Sequence, residues 1–371
     1  MVTYRTLLDM YRGKRVLVTG HTGFKGSWLA LWLVELEAEV LGYALDPPSD
    51  PNHFRVCDLE NRIRHIHGDV RDQGHLIEVF RQWRPEIVFH LAAQAIVRAS
   101  HEDPTLTFQT NVMGTVNLFE AVRATDSIRV VVNVTSDKCY ENQEWFWGYR
   151  ESDRLGGADP YSASKACAEQ VTFAYRQSYF DPSRSEGSPA TVLSVRAGNV
   201  IGGGDWGRDR LVPDCVRALS QGREVVIRNP NAVRPWQHVL EPLGGYLLLA
   251  GRALLEGGDL AGAWNFGPWD KGILTVRETV EALIASWGSG TFTVSRPDQA
   301  QAPSSPREAS LLRLDWSKAQ HRLGWHPRFT LPEALDATVH WYKHYYDPRE
   351  SGTVQEITRR QILDYMEKNE R

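Results

Sequence analysis

Gly20-His21-Thr22-Gly23-Phe24-Lys25-Gly26 follows the β-branched run Arg15–Thr19 (RVLVT) and leads into the apolar stretch Trp28–Leu36. Glycines between a strand and a helix permit a tight turn, let backbone approach a pyrophosphate and allow close helix packing, with the helix N-terminus facing the anion. The spacing is Gly-x-x-Gly-x-x-Gly, one residue longer than the usual dinucleotide fingerprint. A Gly-rich turn can also simply join two elements, so its surroundings have to decide.

Outward from this turn, short β-branched runs recur at Arg15–Thr19, Val40–Leu45, Ile63–His67, Ile87–Leu91, Val130–Thr135 and Thr191–Arg196, the first four starting about 24 residues apart. Between them Trp28–Leu36, Leu76–Trp83, Leu106–Val122 and Ser162–Tyr179 return apolar residues every three or four positions, as helices do. Repeated strand and helix demand a parallel sheet covered on both faces. The expected fold is α/β: a doubly wound parallel (Rossmann) sheet over residues 1–198 with a smaller C-terminal α+β substrate domain over 199–371. Arg234–Leu255 reads as one more strand and helix, so 232–258 is expected to return to the first domain. Asp181–Pro189 (DPSRSEGSP) and the Pro/Ser stretch Pro303–Pro306 read as loops, and a helical finish starts at Leu331.

Asp46 stands 20 residues past Gly26 at the end of the second strand, where a carboxylate accepts hydrogen bonds from an adenosine ribose and repels a 2′-phosphate. That favours NAD over NADP, although Asp46-Pro47-Pro48 can equally be a turn opener. Asp69 and Val70 after the third strand and Leu91-Ala92-Ala93-Gln94 after the fourth also fall at carboxyl ends of strands, where open α/β sheets bind ligands. Asp69 can instead cap the next helix.

The fifth strand ends in Thr135-Ser136-Asp137-Lys138, and Tyr161-Ser162-Ala163-Ser164-Lys165 opens a helix. Residues four apart share a helix face, so Lys165 can lie beside Tyr161. A phenol of pKa about 10 must drop roughly 3 units to serve as a base near neutrality, and cations supply such a shift. The Lys165 ammonium and an oxidised nicotinamide would both do so, with the Ser136 hydroxyl sharing the substrate's hydrogen bond.

The 371 residues, 42% hydrophobic and 24% charged, rule out disorder and match two to three domains at roughly 150 residues each. A net charge of −4 offers no field for nucleic acid or an anionic membrane, so the partner is expected to be a small molecule. Cysteines at 57, 139, 167 and 215 match neither a zinc site nor a redox pair, and the twelve histidines show no HExxH, so no metal is expected. No secretory signal or membrane-spanning run is read, making the cytoplasm the expected location.

TGHTGFKG, LAAQA, TSDKCYEN, YSASK, RAGNVIGGGDW and REASLLRLD together resemble the extended short-chain dehydrogenase/reductase family over about Gly13 to Pro327. Within it, HTGFKG and SDKCYEN resemble the CDP-glucose 4,6-dehydratases. The resemblance implies oxidation at the sugar C4 with Tyr161 taking the hydroxyl proton, loss of water across C5–C6, and return of hydride to C6. Asp137 would protonate the departing hydroxyl. Lys138, standing where relatives have glutamate, would be the C5 base, stabilise the enolate or only hold Asp137. The implied cofactor set is Gly20, His21, Gly23, Phe24, Lys25, Gly26, Asp46, Asp69, Val70, Leu91, Ala92, Ala93, Thr110, Tyr161, Lys165 and Val200. Gln94, Asn199, Arg210 or equally its alternative Arg208, Arg234 and Asn265 are the implied substrate contacts.

The resemblance further implies a homodimer, or a tetramer, packed through Leu106–Val122 and Ser162–Tyr179. One departure stands out: Arg307-Glu308-Ala309 replaces an expected His-Glu-Ala. Trp145, Trp147, Trp206 and Trp236 are read as core or interface residues. The alternatives are an epimerase, reductase or decarboxylase of another nucleotide sugar, and a catalytically silent NAD-binding regulator. Asp137 argues against simple epimerisation, and Tyr161, Lys165, Ser136 and Asp137 together against the regulator.

Overall fold

β1 (Arg15–Thr19) has Val16 and Val18 on one face of a sheet and Leu17 on the other, each in a separate apolar cluster, because successive side chains of a strand point to opposite sides. In the computed structural model, which describes residues 4–181, 183, 190–269, 273–295, 311–347 and 352–368, this alternation sets the layering of the molecule. Most of Asp181–Pro189, all of Pro303–Pro306 and Arg307-Glu308-Ala309 fall outside the described residues.

β2 (Glu39–Ala44), β3 (Arg64–His67), β4 (Ile87–His90), β5 (Val130–Val134) and β6 (Thr191–Ala197) join β1 and a seventh strand, Gly262–Phe266, in one parallel sheet. Its order is Gly262–Phe266, β6, β5, β4, β1, β2, β3. The order reverses between β1 and β4, which opens a crevice at the carboxyl ends of the strands. One face carries Phe24–Glu35 and Leu240–Glu256, and the other Gln73–Trp83 and Gly114–Arg123. β4 and β5 are buried along their whole length, as strands covered on both faces must be.

The stretch expected at Leu106–Val122 is three consecutive pieces: Pro104–Phe108, a π turn at Gln109–Met113, and Gly114–Arg123. The boundary at 199 needs two corrections. The returning segment extends past 258, because Gly262–Phe266 adds the edge strand beside β6. The C-terminal helix Val354–Glu367 also lies on the first domain: Trp32 Nε1 donates to Met366 Sδ at 3.1 Å, and Tyr365 meets Trp32 edge-on. Phe24–Glu35 is buried almost all round, so it needs cover on the side away from the sheet.

Leu211–Leu219, Val276–Trp287 and Leu331–Tyr346 pack together beside two short parallel strand pairs that lie outside the main sheet. Thr275/Glu278, Thr330/Glu333 and Thr353/Glu356 are reciprocal capping boxes that start three of the helices. Trp206 packs edge-on against Trp341, Tyr342 and Tyr345, and Trp236 is buried, both as expected of core residues. Trp147, with 71% of its surface exposed, is not a core residue.

Candidate active site

Gly20 has φ +73°, and a Cβ there would stand 2.6 Å from the amide nitrogen of Ala92. A Cβ on Gly26 would lie 2.2 Å from the Gly20 carbonyl oxygen. The turn is therefore closed tightly against the LAAQA loop. Thr19 Oγ1 accepts from the amides of Leu91 and Ala92, both at 3.2 Å, and fixes that loop to β1. Gly23 is the N-cap of Phe24–Glu35 and supplies no side-chain cap, which leaves first-turn amides facing the crevice.

His21 does not fill the turn. Its ring lies over Gly42, where a Cβ would come within 2.3 Å of it, and its Nε2 is 2.8 Å from His65 Nδ1. Burial first, then His65, pushes its pKa down to about 3, so the ring is neutral. The uncapped helix and the small-residue cradle fit a dinucleotide pyrophosphate. Gly20→Ala is expected to weaken NAD binding at least tenfold, about 1.4 kcal/mol, because the added carbon separates the turn from Ala92. Titration followed by tryptophan fluorescence checks this.

Asp46 lies just past β2 with its carboxylate in solvent, 3.7 Å from His67 Nε2. Asp69 is not a helix cap: its carboxylate accepts from the amide and guanidinium of Arg71, while Asp72 caps Gln73–Trp83. Val70 packs over Gly114, Thr110 sits in the π turn, and Val200 lies in a two-residue strand beside the crevice.

Ser136 ends the fifth strand's segment and caps a single 3-10 turn, Asp137–Cys139, accepting from the Lys138 amide. Its hydroxyl donates to Asp137 Oδ1 at 2.9 Å and is also within hydrogen-bonding reach of the Tyr161 phenol. Asp137 is buried. Gly198 packs against it, where a Cβ would meet Asp137 Oδ2 at 3.1 Å. Lys138 Nζ lies 3.8 Å from Asp137 Oδ1. Tyr161 occupies the first turn of Pro160–Tyr179, which Asp159 caps through the Ser162 amide. Phenolate at a helix N-terminus is favoured by the dipole.

The charges around the phenol differ from the sequence reading. Burial holds the Tyr161 pKa above its ordinary value, and the cation that most opposes this is Lys138, followed by Arg210. Lys165 lies on the same helix, but its ammonium donates to the Val134 carbonyl at 3.3 Å and is directed at the end of β5. Burial lowers Lys165 to about 8. Lys25 is likewise lowered to about 8, first by burial, with Asp137 pulling it up and Arg210, Lys165 and Lys138 pushing it down. Tyr161 and Asp137 are thus ringed by Lys25, Lys138 and Arg210, an arrangement able to stabilise phenolate, enolate and phosphate charge.

Arg210, not Arg208, is directed inward. It bonds buried Asp205 at 2.8 Å and bears on Tyr161, whereas Arg208 is exposed. Asn199 and Arg234 are half-buried at the crevice, with the Asn199 carbonyl accepting from Gln237 N. Asn265 has to be corrected as a substrate contact. It is fully buried, its amide donates to the Tyr149 and Asp315 carbonyls, and its Oδ1 accepts from Tyr140. Gln94 is also engaged internally, donating to Thr107 Oγ1 and accepting from Ile96 N.

Asn111 was missed. From the π turn it joins the Gln94 backbone to Ser164 on the helix of Tyr161, at 2.8 Å on each side. An asparagine at a core-facing position of an otherwise apolar helical pattern was the available signal. Among the described residues no three His, Cys, Asp or Glu gather to hold a metal, all four cysteines are free, and no helix is long and apolar enough to cross a membrane.

The family model for GDP-mannose 4,6 dehydratase matches residues 17–338. The chain belongs to that family. It is 49% identical over 358 residues to the CDP-glucose 4,6-dehydratase of Salmonella typhimurium, covering 96% of this chain and 98% of that one. It is 30% identical to the UDP-glucose 4-epimerase of Mycolicibacterium smegmatis, over 89% of this chain and 99% of the other. Among solved structures, the dTDP-glucose 4,6-dehydratase of Streptomyces venezuelae with NAD bound superposes with a TM-score of 0.72 at 26% identity, covering 91% of this chain and all of that one.

Proposed function

We propose that this chain is an NAD-dependent lyase that converts CDP-D-glucose to CDP-4-dehydro-6-deoxy-D-glucose. The observation that carries the reading is the gathering of Ser136, Asp137, Lys138 and Tyr161 at the mouth of the glycine turn. The 49% identical Salmonella relative supports CDP-glucose as the substrate.

The Gly20–Gly26 turn and Asp46 would hold NAD, which when bound would supply the acceptor of two electrons from C4 and their donor at C6. Tyr161 as phenolate accepts the C4 hydroxyl proton, with Ser136 donating to the same oxygen. The resulting ketone acidifies C5. Lys138, once it has released its own proton, takes the C5 proton and returns it to C5 as hydride reaches C6. Asp137 receives the proton held by Tyr161 through Ser136, which bonds both, and gives it to the C6 hydroxyl as the C–O bond breaks and water leaves. Atoms balance as CDP-glucose to ketone plus one water, with no net oxidation. Arg210 and Arg234 hold the diphosphate.

Asp137 separates this reading from the epimerase alternative, because C4 epimerisation expels no hydroxyl and needs no acid there. Lys138→Met is expected to slow entry of solvent deuterium at C5 at least tenfold per C4 oxidised, as followed by mass spectrometry. Entry at an unchanged rate would remove Lys138 from that role. The reading extends to a cytoplasmic homodimer, or a tetramer built from it. Phe108, Met113, Phe173 and Tyr179 lie exposed on Pro104–Arg123 and Pro160–Tyr179, where subunits would pack. The product would feed deoxysugars of surface polysaccharides such as O-antigen.

The test is incubation of purified protein with CDP-glucose without added reductant, followed by the alkali-induced absorbance of a 4-keto-6-deoxy sugar. UDP-, GDP- and dTDP-glucose run in parallel settle the base. Stoichiometric NADH release would overturn the internal redox cycle.

A further inference from the structure

Behind the catalytic group lies a charged pair that the mechanism above does not use. Glu169, one turn beyond Lys165 on the same helix, and Arg196 on β6 are each only 3% exposed. Arg196 Nε donates to Glu169 Oε1 at 2.9 Å and Nη2 to Oε2 at 2.8 Å. Ser194 and Thr135 fill the remaining sites on the carboxylate. Arg196 Nη1 donates onward to the Tyr140 hydroxyl at 2.6 Å, which donates to Asn265. Burial alone would raise the Glu169 pKa, but Arg196 and the hydrogen bonds outweigh it and keep the carboxyl below its ordinary range.

We infer that Glu169 is a positioning residue for catalysis: held ionised by Arg196, it supplies the negative charge that keeps the neighbouring Lys165 an ammonium inside a dry site. This rests on the proposed NAD-dependent reaction, for which the Tyr161–Lys165 spacing expects Lys165 as an ammonium near the cofactor. A buried ion pair is weak evidence for stability, since well-packed neutral residues often serve as well, so its place one turn from Lys165 calls for another account.

The other titratable groups bearing on Lys165 supply no negative charge at neutral pH. Cys139, in the turn after β5, is pushed far above its ordinary value by burial and stays a thiol. His90 on β4 is pushed to about 3 by burial and is neutral. Lys25 from the glycine turn is a like charge, and Tyr161, one turn before, is held above its ordinary value. Burial lowers Lys165, and Glu169 is the leading influence in the opposite direction. Without Glu169, Lys165 would lose its proton at lower pH, and above that pH its positive charge at the end of β5 would be gone.

The test is the titration of Lys165 in cofactor-free protein, read by trace acetylation from pH 6 to 11 with mass spectrometry of each lysine. The pH profile of CDP-glucose turnover is measured alongside. In Glu169→Gln the Lys165 titration is expected to fall by about one unit, a tenfold change in ammonium at fixed pH, with the alkaline limb of turnover moving down equally. Glu169→Asp should keep both near wild type. The double variant Glu169→Gln/Arg196→Met removes both charges, leaves no buried charge unpaired, and should shift Lys165 in the same direction by a smaller amount should the single variant not fold. An unshifted Lys165 in a folded variant overturns the inference. A wild-type chain inert toward nucleotide sugars overturns the proposed reaction instead, while the acetylation profile still decides the role of Glu169.

Discussion

Tyr161→Phe is expected to lower turnover of CDP-glucose about 10³-fold while leaving KM and NAD affinity within a few-fold of wild type. The ring stays, so the packing of the first turn of Pro160–Tyr179 is retained and only the oxygen is lost. No neighbour can replace it as the acceptor of the C4 proton. Ser136 is a weaker base already bonded to Asp137, Arg210 is a cation, and the proposed reaction uses Asp137 and Lys138 in later steps. The phenol sits above its ordinary pKa because burial outweighs Lys138 and Arg210. A positive nicotinamide shifts that balance toward phenolate. The check is kcat and KM from the keto-sugar assay beside an NAD titration. A variant retaining a tenth of wild-type turnover would mean that another group takes the proton.

Much of the candidate catalytic group could be proposed before the fold was known, because its members lie close together in the chain. Tyr161 and Lys165 share a helix turn, and Ser136, Asp137 and Lys138 are consecutive. Contacts made across the chain were not legible. That Lys138 outranks Lys165 beside the phenol depends on where a 3-10 turn sets its side chain against another helix. Arg208 and Arg210 read alike in a Gly-rich loop, and only Asp205 turns Arg210 inward. For the sheet, β1 through β6 announced themselves as β-branched runs. The edge strand GAWNF did not, because Gly262 and Asn265 break the apolar pattern and Asn265 is satisfied by Tyr140, Tyr149 and Asp315 from distant segments. The docking of Val354–Glu367 onto Phe24–Glu35 was hidden for a similar reason. Helical periodicity reports that a face is apolar, not which surface it will cover.

Asp137→Asn is the substitution expected to separate the two halves of the reaction. Product formation should fall about 10²- to 10³-fold, because asparagine cannot deliver a proton to the departing C6 hydroxyl. Oxidation at C4 should survive, since Tyr161 and the glycine turn are untouched, and absorbance at 340 nm should then rise toward one reduced cofactor per active site. Deuterium should still enter C5, because Lys138 and the ketone that acidifies that carbon remain. The charge change has its own signature. Asp137 opposes ionisation of Tyr161 and supports the charge on Lys25, so removing its carboxylate lowers both pKa values. The acid limb of C4 oxidation, which tracks loss of the phenol proton, should therefore move to lower pH in the variant. Stopped-flow absorbance at 340 nm across pH, beside mass spectrometry of the sugar nucleotide, reads all three effects. Loss of C4 oxidation in proportion to elimination would place Asp137 in the first half of the cycle and leave the leaving hydroxyl without an assigned acid.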